Sequence, residues 1–298
     1  MERQRGVSER APSAALVLLF FLFRPPVLAQ DRPQGDSNPS AQELARQVTA
    51  NELKAQEQDR SRWSFRLEWP NSNGQLEADQ VIQTTDGDLK RPLLIDGRAL
   101  TDREKQKSDK QIQQLVRDPG PLRKARAQQA ADAARSLRLL AMLPRACRFT
   151  YGERRGDLVQ LNFSPQPNFH PPSHEAEVFH AMQGSLWVDA SQSRVEEISG
   201  RLIHDVKFGG GILGRVNQGG TFEVKQAEVA AGHWELTLLK IQMQGKALFF
   251  KTIGVRENYT RSQFHPVPEN LSVAEAARMI AAESRATPAP AQKTGSMN

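Results

Sequence analysis

The sequence predicts a mainly β protein with helices (α+β), a curved antiparallel sheet or unclosed β-barrel of about ten or eleven strands covered by helices. Three observations carry this expectation. Apolar and polar residues alternate with a period of two in Trp63–Trp69 and again, almost without interruption, from Cys147 to Glu257. Turn-forming residues separate neighbouring alternating runs. Helical periodicity is confined to a few segments set between or beside the strands.

Residues 41–60 come first, where Leu44, Val48 and Leu53 recur at near-helical spacing on a polar background, giving a helix with a thin apolar stripe. The period then switches. Trp63, Phe65, Leu67 and Trp69 alternate with Arg62, Ser64, Arg66 and Glu68, which is a strand with one dry face. Asn71-Ser72-Asn73-Gly74 supplies a turn, and Leu76–Thr85 and Leu89–Ile95 are the next strands. Thr101–Arg117 is helical, with Thr101 and Glu104 at capping-box spacing. After Asp118-Pro119-Gly120-Pro121, Leu122–Leu143 forms a second helix that buries Leu137, Leu140 and Ala141.

From Pro144 onward strands dominate. Cys147/Phe149/Tyr151 and Val159/Leu161/Phe163 make a pair, followed by a Pro-rich loop over residues 164–173. Then come Ser185–Asp189, Val195–Phe208, Thr221–Val229, Trp234–Met243 and Ala247–Glu257. Residues 270–283 form a short helix with Ser272 and Glu275 as a second capping box. The resulting organisation is a leader over 1–29 and a flexible linker over 30–40. A single β domain follows over 41–268, with a helical insertion at 101–143, then a C-terminal helix over 269–283 and a disordered tail over 284–298.

The leader rests on Arg3, Arg5 and Arg10 ahead of the unbroken apolar run Ala14–Phe23, with Val27-Leu28-Ala29 at the positions a signal peptidase reads and cleavage after Ala29. Ten apolar residues span roughly 15 Å as a helix, about half a bilayer core, so a cleaved signal fits better than an anchor. Its removal takes away four basic and two acidic residues and leaves 36 against 32 over the remaining 269. Periplasmic or otherwise exported placement argues against a nucleic-acid partner. With only Cys147 in the chain there is no internal disulfide, and no cysteine follows the leader to carry a lipid.

The search for chemistry finds no catalytic constellation. Gly209-Gly210-Gly211-Ile212-Leu213-Gly214 satisfies G-x-G-x-x-G, but an alternating strand follows it rather than a phosphate-binding helix, so the glycines read as a bend. His170, His174 and His180 lie in or near a Pro-rich loop without metal-ligand spacing. Cys147 sits in an apolar strand and reads as a buried, inert thiol. Arg123, Lys124, Arg126, Arg135 and Arg138 form a solvated helix face, with an anionic membrane surface as the alternative. No cofactor and no enzymatic activity is expected.

Gly184-Ser185-Leu186-Trp187-Val188-Asp189, followed by Arg194-Val195 and Ile198, is similar to a strand signature of the periplasmic lipoprotein-carrier superfamily, the LolA/LolB-type proteins and related envelope-stress sensors. Asp205-Val206-Lys207-Phe208 through Gly214, with Gly245–Lys251, resembles an uncharacterised bacterial branch of it. The resemblance covers about 41–268 and implies an apolar concave sheet face, covered by helices, that receives acyl chains or a lipoprotein. On this expectation the ligand-lining residues are Trp63, Phe65, Leu67, Val159, Leu161, Phe163, Ile198, Leu202, Val206 and Phe208. The function expected is that of a carrier for lipid or lipidated protein. The alternative is an envelope interaction or stress-sensing module with a protein partner and no small ligand.

Overall fold

Residues 39–211, 214–247 and 251–286 are described by a computed structural model. The leader, nearly all of the linker, and the tail beyond residue 286 lie outside the described residues. The architecture is mainly antiparallel β with helices. Among the described residues there are thirteen strands, of which eleven follow an open order from β4 (Arg98–Ala99) through β3 (Asp88–Ile95), β2 (Leu76–Gln83) and β1 (Arg62–Pro70) to β13 (Lys251–Val267). The order continues through β12 (His233–Ala247), β11 (Thr221–Ala230), β8 (Arg194–Leu202), β7 (Met182–Asp189) and β6 (Leu158–Pro165) to β5 (Cys147–Arg155). The other two, β9 (Val206–Phe208) and β10 (Gly214–Val216), pair with each other beside β12. The ladder does not close on itself.

Two compact units divide the chain where the sequence is read as one domain. The first holds residues up to 59 together with 129–260, and the second holds 60–128 with 261–298. Strand β13 and helix α3 (Gly120–Ala146) each contribute one part to either unit.

In the first unit the two-residue alternation places one continuous apolar row across seven strands. Tyr151, Leu161, Leu186, Ile198, Val224, Leu239 and Tyr259 are successive cross-strand partners. Helix α1 (Ala41–Gln58) and the C-terminal part of α3 cover this face from Leu161 onward, while Tyr151 at its end is 46% exposed. Leu44, Val48, Leu139, Leu140 and Leu143 join the sheet residues in a single hydrophobic cluster. Leu139 and Leu143 take the buried places expected of Leu137 and Ala141; Leu137 is only half-buried and Ala141 is exposed. Helix periodicity had the stripe off by part of a turn. The opposite sheet face is polar, with Lys225 bridging Glu197 at 3.0 Å and Glu223 at 3.2 Å, and Lys240 reaching Glu223 at 3.2 Å.

A second row, Phe149–Phe163–Gly184–Gly200–Phe222–Ile241, runs beside the first. The two glycines make room for aromatic rings: a Cβ at Gly184 would stand 2.9 Å from the Phe163 ring, and one at Gly200 2.7 Å from the Phe222 ring. Strands β5 and β6 lose register between Tyr151 and Arg154, a bulge that leaves Glu153, Arg154 and Arg155 exposed on the outermost strand.

The second unit packs α2 (Asp102–Arg117), the first turns of α3, and α4 (Val273–Ala286) on one face of β1–β3, around Ile82, Leu89, Ile112, Leu271, Val273 and Ile280. Both capping boxes form. Thr101 N–H donates to Glu104 at 2.8 Å, and Ser272 N–H donates to Glu275 at 2.9 Å. Several boundaries differ from the sequence expectation: Ala247, expected to open the last strand, ends β12 instead, and three further differences have a plain cause. The run 195–208 is two strands, because Ile203 N–H turns to the Ala181 carbonyl at 2.7 Å and Asp205 caps Gln218 N–H at 2.9 Å. The last strand continues ten residues past Glu257, as alternation and pairing outlast the apolar run. Helix α4 reaches Ala286, so the first residues assigned to the tail are helical. The strand count rises to thirteen because β4, β9 (Val206–Phe208) and β10 (Gly214–Val216) are too short to show alternation.

The crowding at Gly184 makes a sharp prediction. A Cβ there would lie 1.9 Å from the Ser199 carbonyl oxygen, so Gly184→Ala forces the β7–β8 backbone apart. The expected loss is about 1–3 kcal/mol, read as a lowered urea midpoint at unchanged slope.

Candidate functional site

The residues expected to line a ligand face separate between the two units. Val159, Leu161, Phe163, Ile198, Leu202 and Val206 are all buried in the first unit's single cluster, and Phe208 packs partly buried against it. Their proximity follows from register: Leu161 and Ile198 both flank Leu186, and Phe163 stands opposite Gly184. Trp63 and Phe65 belong to the second unit, where both are buried and their rings contact Phe264 at 6.3 and 5.5 Å; Leu67 is half-buried. The first unit's six form an apolar surface under α1 and α3, so that unit holds the candidate site.

Two polar clasps hold α1 over this surface. At its start, Gln42 donates to the Pro144 and Cys147 carbonyls and accepts from Phe149 N–H at 3.1 Å, tying the first turn to the α3–β5 junction. Further along, Glu52 is 1% exposed and meets Arg194 in a two-point ion pair, Nε at 3.0 Å and Nη2 at 3.3 Å. Val195 N–H and the Gln226 amide also donate to Glu52 Oε1, at 2.8 and 3.3 Å. Arg194 lies over the Trp234 ring at 5.5 Å, and Trp234 packs on Ala55 of α1 while its Nε1 donates to Gln192 at 3.2 Å. Burial pushes the Glu52 carboxyl above its ordinary range, against the pull of Arg194, Val195 N–H and Gln226. No motif marks this group in the sequence, since Glu52 and Arg194 stand among many ordinary surface charges. One signal was present: Glu52 continues the Leu44–Val48 stripe at i+4, where an apolar residue would be expected.

The remaining sequence candidates have structural placements. Gly209–Gly211 follow β9 with a kink at Gly210, whose φ of 66° is left-handed, and β9 pairs antiparallel with β10, so the glycines lie in a connection between two strands. His170 and His174 are exposed and bond within their own loop, to the Asn168 carbonyl and to Glu177, each at 3.0 Å; His180 is exposed too. Among the described residues no group of three or more His, Cys, Asp or Glu is arranged to hold a metal ion. Cys147 is 2% exposed, and burial pushes its thiol up to about 12, which keeps it protonated. On α3, Arg123 pairs with Asp86 at 3.2 Å, Arg126 donates to the Thr85 carbonyl, and Arg135 pairs with Asp132. No described helix is long and apolar enough to cross a membrane. No family model, curated protein or solved structure matches this chain.

Two predictions follow from the buried charges. Arg194→Met leaves Glu52 buried without its partner and should cost about 3–5 kcal/mol in chemical denaturation, whereas the double variant Glu52→Leu/Arg194→Met should recover most of that loss. The second concerns Asp79 on β2, whose carboxyl burial raises to about 6, with Lys90 opposing and Glu77 reinforcing. The folded chain therefore holds this proton more tightly than the unfolded one. Its contribution is complete below about pH 4 and is lost as pH rises through about 6. Asp79→Asn should flatten that stretch of the stability–pH curve and raise stability at pH 7–8 by about 2–3 kcal/mol.

Proposed function

We propose that the protein is an exported carrier that binds lipid or a lipidated protein on the helix-covered apolar face of the first unit. The reading rests on the buried part of the row, from Leu161 to Tyr259. Its five strand steps, at about 4.8 Å each, give an apolar track of roughly 24 Å. That length accommodates a long acyl chain lying across the strands. The cover is suited to opening, because α1 presents a narrow stripe, Leu44, Ala45, Val48 and Ala55, and is secured by polar clasps at Gln42 and Glu52. A chain of fourteen buried methylenes gains about 11 kcal/mol, the scale of driving force available to open the cover. Export, periplasmic placement and likeness to the lipoprotein carriers belong to the same proposal and rest on the sequence.

A second reading is an envelope interaction or stress-sensing module without a small ligand. The close packing of Leu139, Leu140 and Leu143 into the same cluster favours it, since side chains already occupy the face.

Protein purified from the envelope of its native cells, then examined by native mass spectrometry and labelled with a photoreactive palmitate, separates the two. The carrier reading expects a co-purified acyl-bearing mass and label on β6–β8. Protein that is repeatedly ligand-free and unlabelled overturns it.

A further inference from the structure

The second unit holds a cleft of about 280 Å³, lined by residues of that unit alone, and the inference drawn from it goes beyond the acyl-carrier reading. Register creates it: Arg66 of β1, Gln80 of β2 and Arg91 of β3 are successive cross-strand partners. Ser64, two residues along β1, shares their face. Gln263 and His265 of β13 and Glu283 of α4 complete the polar lining, and Leu93, two residues along β3 from Arg91, supplies apolar surface.

Several of these polar groups are not consumed by the fold. Arg66 engages Glu68 through Nε alone, at 2.7 Å, so its terminal nitrogens have no hydrogen-bond partner among the described residues. The Ser64 hydroxyl, on a residue only 7% exposed, and the side chains of Gln263 and His265 likewise make no hydrogen bond among the described residues. Arg91 donates to the Ile280 carbonyl at 3.1 Å, and its other terminal nitrogen is 3.7 Å from Asp109, an exposed and solvent-screened carboxylate. Gln80 is committed to Glu283. Gln263 has φ +55, a left-handed backbone that a non-glycine residue rarely adopts.

We propose that this cleft binds a small monocarboxylate, its oxyanion on Arg66 and Arg91 and its apolar body on Leu93. Glu68 and Asp109 already face the two arginines and Glu283 lines the cleft, so the guanidinium donors left over suit a single negative charge while the surrounding carboxylates disfavour a dianion. The planar fork of Arg66 matches a carboxylate's two oxygens. The volume sits at the small end of ligand pockets, so the apolar body is a short chain or one ring.

The test titrates the full chain with hexanoate, hexan-1-ol and inorganic phosphate at low ionic strength, following the His265 ring resonances by NMR. Hexanoate should shift them saturably, hexan-1-ol should not, and phosphate should bind more weakly than hexanoate. Arg66→Gln should weaken hexanoate at least tenfold, and Arg66→Lys, which keeps the charge without the fork, by less. Circular dichroism of each variant checks folding; if Arg66→Gln fails to fold, the Arg66→Lys comparison carries the test. An absent or non-saturating shift, equal response to hexan-1-ol, tighter binding of phosphate, or unchanged affinity in the folded arginine variants would overturn the proposal.

Discussion

The first unit is organised around a carboxylate that water does not reach. Glu52 projects from α1 into a site where Arg194, the Val195 amide and Gln226 all donate to it, which joins one helix to strands β8 and β11 at a single point. An ion pair so deeply placed gives little net stability, because desolvating both charges offsets their attraction. What it supplies is position. Leucines alone would let α1 slide along the sheet, since apolar packing is non-directional, whereas a four-donor carboxylate has one register. The apolar face beneath, with Leu161 and Ile198 at its centre, is covered only while that register holds.

Glycine and phenylalanine set the shape of the same face. Phe163 and Phe222 lie against Gly184 and Gly200, so two bulky residues and two absent side chains fill one cross-strand row. Glycine in a strand ordinarily weakens it. Here the rings cover the bare backbone and restore the lost packing, and the paired glycines let β7 and β8 approach where side chains would hold them apart.

Much of this was legible in the chain. The alternation at Trp63–Trp69 and after Cys147 marked the strands, and the Thr101/Glu104 and Ser272/Glu275 spacings marked two helix starts, because each signal is local. The division into two units was not, since Trp63 and Leu161 carry the same pattern and only long-range pairing assigns them to different cores. The Glu52–Arg194 pair spans 142 residues, and the cleft arginines are neighbours only through register; neither relation leaves a trace in local composition. The apolar row was partly legible: its members were visible as alternating residues, but their alignment across seven strands depends on bulges such as the one between Tyr151 and Arg154.

That bulge has a consequence for the molecule's life in solution. An unclosed ladder ends in unpaired N–H and C=O groups that can recruit another chain's strand. At one end the final strand, Arg98–Ala99, is two residues long and offers almost no template. At the other, β5 is kinked and carries Arg148, Glu153, Arg154 and Arg155 exposed. A neighbour adding there would have to match the kink and accept a dense set of charges. Both ends of the open sheet are thus poor templates for polymerising edge to edge.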